Sequence, residues 1–152
     1  MPAHRERSRC PIAFRLDVVG DRWTLLILRD LAFKKRHYFG DFLGASEGIS
    51  SKILTDRLAR LDAAGLVLKT PDPVDGRRVR YFLSDEGLEL LPVLVEIALW
   101  GSERHPDPMP GPKELEHLRS DREGALRRYR AELTESRERA VGELTQPVQT
   151  AG

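Results

Sequence analysis

Two kinds of side chain in this sequence are spaced for chemistry: a single thiol, and cations gathered at three places. Cys10 stands directly before Pro11, at the head of PIAFRLDVVG. Proline is tolerated in a first helical turn, where its missing N–H would have had no partner anyway. The thiol therefore sits near the positive end of a helix dipole, with Arg5, Arg7, Arg9 and Arg15 close in sequence. Both effects favour the thiolate, the form that reacts with oxidants and electrophiles. The competing reading is a small apolar residue buried at a seam and chemically inert. The cations are KKRH at 34–37, which includes Lys35 and Arg36; Lys52, Arg57 and Arg60 within GISSKILTDRLARLDAAGL at 48–66; and Arg77, Arg78 and Arg80 behind an Asp75-Gly76 pair. Such groups bind phosphate or reach the edges of bases.

Catalysis and metal binding leave little trace. There is no Cys-x-x-Cys, no His-Glu-x-x-His and no Gly-x-x-x-x-Gly-Lys, and His4, His37, His105 and His117 are scattered without ligand spacing. No enzyme activity, metal or cofactor is expected from this pattern. The composition, 40% hydrophobic and 32% charged with a net charge of +1, is that of one globular core, so any polyanionic partner must be met by local patches. One cysteine allows no internal disulfide framework and fits a reducing compartment. The longest apolar run, LLPVLVEIALW, is broken by Pro92 and Glu96 and is short for a membrane span. A cytoplasmic protein with no membrane partner is the expectation.

The elements that must hold these residues follow from periodicity. Ile12, Leu16 and Val19 recur at helical spacing up to Gly20, and WTLLILRDLAF is apolar on most of its circumference, as in a helix covered on several sides. YFGDFLGAS gives a short third helix with Phe39, Phe42 and Leu43 on one face. The fourth begins at Ser50, whose hydroxyl can accept a bond from a first-turn amide; it runs on Leu54, Leu58 and Leu61, and ends before Gly65. The period then shortens to two in LVLKT and RVRYFL, on either side of the Asp75-Gly76 turn signal, which predicts a β-hairpin with a basic tip. Ser84 caps a helix reaching to about residue 103, with Pro92 placed to kink it. That helix carries two apolar stripes, Leu91, Leu94, Val95 and Ala98 on one side, Leu90, Val93, Ile97 and Trp100 on the other. HPDPMPGP at 105–112 is a linker by composition. Residues 113–152 form a densely charged extension, helical or partly disordered, with a thin stripe of Leu115, Leu118, Leu126, Tyr129 and Leu133.

Helices followed by a two-stranded hairpin is the order of a winged helix-turn-helix, mainly α with a small β wing. In that arrangement the fourth helix turns its leucines inward and presents Ser50, Ser51, Lys52, Thr55, Asp56, Arg57 and Arg60 at its start and outer side. A helix that enters a major groove needs short polar side chains and open amides at its N-terminal turn. Asp56 could accept from a cytosine amino group, but orienting Lys52 or Arg60 is the favoured role. Lys35 and Arg36 would clamp the backbone, and Arg77, Arg78 and Arg80 would contact phosphates or a narrow minor groove from the wing. The plainer reading is a solvated helix face and an edge hairpin kept soluble by charge. Three basic features flanking one helix tip the balance towards DNA.

CPIAFRLDVVGDRWTLLILRDL, YFGDFLGASEGISSKILTDRLARLDAAGLV and RVRYFLSDEGLELLPVLVEIALWG together resemble the HxlR-type winged helix-turn-helix regulators of bacteria, over about residues 10–104. The resemblance implies a homodimer paired through its first and last helices, binding double-stranded operator DNA as an inverted repeat. It would place Ile12, Leu16, Leu90, Val93, Ile97 and Trp100 at the dimer interface and Cys10 at a position that some members use as a thiol switch. Asp21 departs from the small residue common there, and the resemblance is silent beyond residue 104. Two other functions compete: an adaptor that grips another protein through 113–144 without specific DNA binding, and a regulator whose dimer cleft near Trp23 and Trp100 admits a small aromatic effector.

Overall fold

The computed structural model describes residues 9–145. Helix α1 (Pro11–Val19) begins after Cys10 at its N-cap, and α2 (Arg22–Phe33) after Asp21. Asp21, which stands where the resemblance has a small residue, starts α2 as its N-cap. Its Oδ1 accepts from the backbone amides of Trp23 and Thr24, each at 3.1 Å, and its Oδ2 from the Thr24 hydroxyl at 2.5 Å. The same carboxylate accepts from Arg57 Nε at 3.0 Å, which fastens the fourth helix to the start of the second.

Helix α3 (Phe39–Leu43) and α4 (Ser51–Ala63) pack against α2. Ile27, Leu28 and Leu31 of α2 are buried with Phe42 and with Leu54, Leu58 and Leu61 of α4. Each large side chain so buried contributes roughly 1.5–3 kcal/mol. Leu43, expected on the same face as Phe42, is exposed, because α3 is only five residues long and cannot turn both inward. Ser50 Oγ accepts from the Ile53 amide at 3.2 Å. At the other end Gly65 takes φ +72°, and the amides of Gly65 and Leu66 return to the carbonyls of Asp62 and Leu61, closing α4 with a Schellman pair.

Strand β1 (Val67–Pro71) pairs antiparallel with β2 (Val79–Leu83), in register from Val67 opposite Leu83 to Pro71 opposite Val79. A short bridge from Tyr38 to Arg80 adds the segment before α3 as a third edge. The long helix expected from Ser84 is two helices: α5 (Asp85–Leu88), capped by the Ser84 hydroxyl on the Gly87 amide at 3.0 Å, and α6 (Leu91–Ser102). Pro92 lies in the first turn of α6, where its missing N–H costs nothing, so it starts a helix instead of bending one. At the break the amides of Glu89 and Leu90 bond back only three residues, to the carbonyls of Glu86 and Gly87, and within α5 a Cβ on Gly87 would come within 2.1 Å of the Leu66 carbonyl oxygen.

Residues beyond the proline-rich linker form α7 (Pro112–Ser120) and α8 (Arg122–Gly142). Leu115, Leu118 and Ala125 make a second small core with Val95 and Leu99 of α6, and the Tyr129 ring stands edge-on to Phe33 of α2 at 5.3 Å. The far end of α8 covers the outer face of β2, burying Arg80 and Phe82.

Burial pushes the Asp21 carboxyl up, but hydrogen bonds from Thr24 and Arg57 outweigh it and hold it at about 2. A group lowered on folding contributes stability that is complete above its ordinary value near 4 and disappears as pH falls towards 2. Asp21→Ala is therefore expected to cost about 1–2 kcal/mol at neutral pH in urea denaturation. The gap to the wild type should narrow below about pH 4. A gap that stays constant down to about pH 2 would show that the ionised carboxylate is not what holds α2 to α4.

Candidate nucleic-acid interface

The outward side of α4 carries Ser51, Lys52, Thr55, Asp56 and Arg60, all exposed, with Ser50 at the cap. Asp56 accepts from Arg60 Nε at 3.0 Å and pairs also with Arg57, so its carboxylate is occupied in orienting arginines. Thr55 Oγ1 donates back to the Ser51 carbonyl at 2.8 Å, which fixes its rotamer. Lys52 has no ion-pair partner among the described residues. Arg57, expected at the same surface, turns inward to Asp21, and only about a fifth of its side chain is exposed.

The loop between α2 and α3 is shaped by a buried carboxylate. Asp30, 3% exposed, accepts from Arg29 Nε at 2.9 Å and from Arg36 at 3.0 Å. Arg29 reaches on to Glu47, and that bond holds the Glu47 carboxyl at about 2. Arg36 is thus half-committed to the interior, whereas Lys35, at φ +51°, projects into solvent. His37 stacks on Phe82 at 4.4 Å with Nδ1 2.9 Å from the Tyr81 carbonyl, and burial lowers its pKa.

The wing is anchored at its base by Asp72. Its Oδ1 accepts from the amides of Val74 and Asp75 at 2.8 and 2.9 Å, and its Oδ2 from the Tyr38 hydroxyl; the tyrosine bond is the largest cause that holds this carboxyl at about 2. The Arg78 guanidinium lies 4.1 Å from the centre of the Tyr38 ring. Arg77, its side chain 92% exposed, stays at the tip near Asp75. Arg80 corrects the expectation for the wing. It is 8% exposed and faces α8, donating to Glu143 at 2.9 Å and to the Ala140 carbonyl at 3.0 Å. Because α8 covers that face of β2, Arg80 supports the wing from behind and cannot meet a ligand in front of it.

The structure therefore places Lys52, Arg60, Lys35, Arg77 and Arg78 in solvent, and gives Arg57 and Arg80 interior roles. Three residues that shape the site, Asp21, Tyr38 and Asp72, were not expected from the sequence. Asp21 could have been found as a capping residue directly before an apolar helix; the Tyr38 to Asp72 contact spans 34 residues and has no local signal. Gly44-Ala45-Ser46-Glu47-Gly48 has the spacing of a hydrolase nucleophile turn. It links two helices here and lacks the strand-to-helix elbow that such a serine requires. Among the described residues no group of acidic, histidine or cysteine side chains could hold a metal ion, and no helix is long and apolar enough to cross a membrane. The cavity beside Trp23 has a volume of about 10 Å³, room for a single water, and Trp100 is 75% exposed, so the two tryptophans enclose no effector site within one chain.

The HxlR-like helix-turn-helix family model matches residues 18–108. The chain belongs to this family. Among curated relatives, the uncharacterized HTH-type transcriptional regulator sll1512 of Synechocystis sp. is 37% identical over 62% of this chain and 69% of its own length. The uncharacterized HTH-type transcriptional regulator Rv3095 of Mycobacterium tuberculosis is 39% identical over 67% of this chain, which spans only 63% of that relative. The crystal structure of PA1607 superposes with a TM-score of 0.59 at 40% identity, covering 66% of this chain and 70% of the other. That of the redox regulator HypR in its oxidized form superposes with 0.57 at 27% identity, covering 63% and 98%. The HxlR-like match thus ends within the linker, and α7 and α8 lie wholly outside it.

The two kinds of wing arginine predict opposite phenotypes. Replacing Arg77 and Arg78 by alanine should flatten the salt dependence of DNA affinity, by about 0.9 in the logarithmic slope for each phosphate no longer neutralised, and leave the melting temperature unchanged. Arg80→Ala should lower stability by roughly 1–3 kcal/mol, because its bonds to the Ala140 and Pro71 carbonyls and to the half-exposed Glu143 carboxylate are lost. If Arg80→Ala keeps full stability and only weakens DNA binding, Arg80 belongs with the DNA-facing arginines after all.

Proposed function

We propose that this protein is a homodimeric, sequence-specific DNA-binding transcriptional regulator of the HxlR type. The observation that carries this is the start of α4: a capped helix whose first turns offer Ser51, Lys52 and Thr55 unobstructed, flanked by Lys35 on one loop and Arg77 and Arg78 on the wing. Such a helix can enter a major groove while the flanking cations bind phosphate. An adaptor that gripped proteins through the extension would find α7 and α8 already packed on α6 and β2.

Dimerisation is supported by apolar surface that the extension leaves bare. Val93, Ile97 and Trp100 of α6 and Ile12, Phe14 and Leu16 of α1 are exposed, while Leu90 is half-buried against the core. An ion pair of Arg15 with Glu86 at 3.5 Å keeps α1 beside α5. A second copy would cover these side chains and set two reading helices on successive major-groove faces. Selection of bound duplexes from random DNA should return an inverted repeat with half-sites about 10 bp apart or a multiple of that. Lys52→Ala or Thr55→Ala should relax the selected sequence by about 1–3 kcal/mol of discrimination for each base no longer read, and Ile97→Asp should yield a monomer that no longer binds. Tight binding of a single half-site by a monomer would dispose of the dimer.

Redox response is the second part of the reading, supported by the likeness to HypR and by the exposure of Cys10 at the N-cap of α1. Of the arginines near it in sequence, Arg5 and Arg7 lie outside the described residues. Diamide or a quinone should change the DNA affinity of the wild type and not of Cys10→Ser, read by electrophoretic mobility shift. Equal responses from both proteins would end the thiol-switch idea.

A further inference from the structure

Between the winged-helix core and the extension lies a cleft of about 420 Å³, bounded by α2, α6, the linker and the first half of α8. That is the size of a small-ligand site. Its walls are largely apolar: Phe33 and Tyr129, joined edge to face, with Leu94 and Ala98 on α6 and Met109 from the linker. Its charged residues are Arg29, Lys34 and Lys35 from the core side and Glu114 and Glu132 from the extension. Arg29 is spent on Asp30 and Glu47, which leaves two lysines and two glutamates without an ion pair among the described residues; Glu114 is engaged by the Tyr129 hydroxyl, whereas Lys34 and Lys35 make no side-chain bond there. An aromatic body with one acidic group would fill the apolar slot and pair with lysines that give up no existing bond.

We propose that this cleft binds a small aromatic acid and that α8 relays its occupancy to the wing. The relay rests on the DNA-binding reading; the ligand site does not. Helix α8 is one element of 21 residues, about 30 Å long. Its Tyr129 and Glu132 line the cleft, and farther along Arg137 donates to the Leu83 carbonyl at 2.8 Å and to Asp85 at 2.5 Å, while the Ala140 carbonyl and Glu143, just past its end, hold Arg80. A ligand that parts α8 from α2 must therefore load the contacts behind β2. Coupling of this kind is reciprocal: whatever factor the ligand imposes on DNA affinity, DNA imposes on the ligand.

The full chain can be titrated with anilinonaphthalene sulfonate, an aromatic monoanion whose fluorescence rises in apolar sites. One saturable site per chain is expected. Ala98→Trp, which fills the cleft, and the surface pair Lys34→Glu with Lys35→Glu, which leaves the core untouched, should each weaken binding about tenfold or more. Trp100→Ala, on the exposed stripe, should not change it. Undiminished binding in the lysine pair, loss of binding with Trp100→Ala, or tighter binding of naphthylmethylammonium would overturn the assignment. Saturation with the probe should shift DNA affinity about fivefold, DNA should shift probe affinity by the same factor, and Arg137→Ala should abolish both shifts while the probe still binds. Probe binding without a reciprocal shift would overturn the relay, and a protein that binds the probe but no DNA would fail the regulator reading alone.

Discussion

Helix α2 sets the terms for the rest of the molecule. Its apolar residues run round most of its girth, and no single neighbour can cover a cylinder on every side. The fold answers by surrounding it: α4 on one flank, β2 on another, α6 on a third, with Tyr129 of α8 reaching Phe33 near its end. Leu28 and Leu31 are almost wholly enclosed as a result. The order of elements in the chain is thus also the order in which the faces of one helix are closed, and the exposed side of α4 is what remains once its leucines are committed to α2.

Charge is partitioned just as sharply. Arg29, Arg36, Arg57, Arg80 and Arg137 are each tied to a carboxylate or a carbonyl inside the fold, and they join elements that the apolar core alone would leave free to slide: α2 to α4 through Asp21, α2 to the basic loop through Asp30, β2 to α8 through Glu143. Lys52 and Arg60 on α4, Lys35 on the loop before α3, and Arg77 and Arg78 on the wing stay in solvent, as do the many cations of α7 and α8. In a chain of net charge +1, these pairings decide which arginines brace the fold and which stay free for a ligand.

Local features were legible in the sequence wherever one stretch contains its own cause. Ser50, the leucine spacing and Gly65 define α4 to its last turn because cap, stripe and stop lie within sixteen residues of each other. The hairpin was equally clear from its period and turn. What escaped was set by partners distant along the chain. Pro92 reads as a kink because the sequence does not show that the preceding helix ends first, at Leu88, where the amides of Glu89 and Leu90 bond back only three residues. Arg80 looked like its neighbours Arg77 and Arg78, since nothing nearby reveals that α8 covers every second residue of β2. The exposed cations therefore do not include Arg57 or Arg80, and the supports of the wing, Tyr38 and Asp72, have no local sequence signal.

The bond from Arg80 to Glu143 spans 63 residues of chain. At an elongation rate of about 5–20 residues per second, roughly 3–13 s separate the synthesis of the guanidinium from that of the acid that receives it. During that interval the helices up to α6 can already collapse around α2, while the back of the hairpin and the flank of α6 that later meets α7 still face water. A nascent chain in that interval can hold α4 on α2 while the wing is still unbraced, and it then offers a chaperone two bare surfaces.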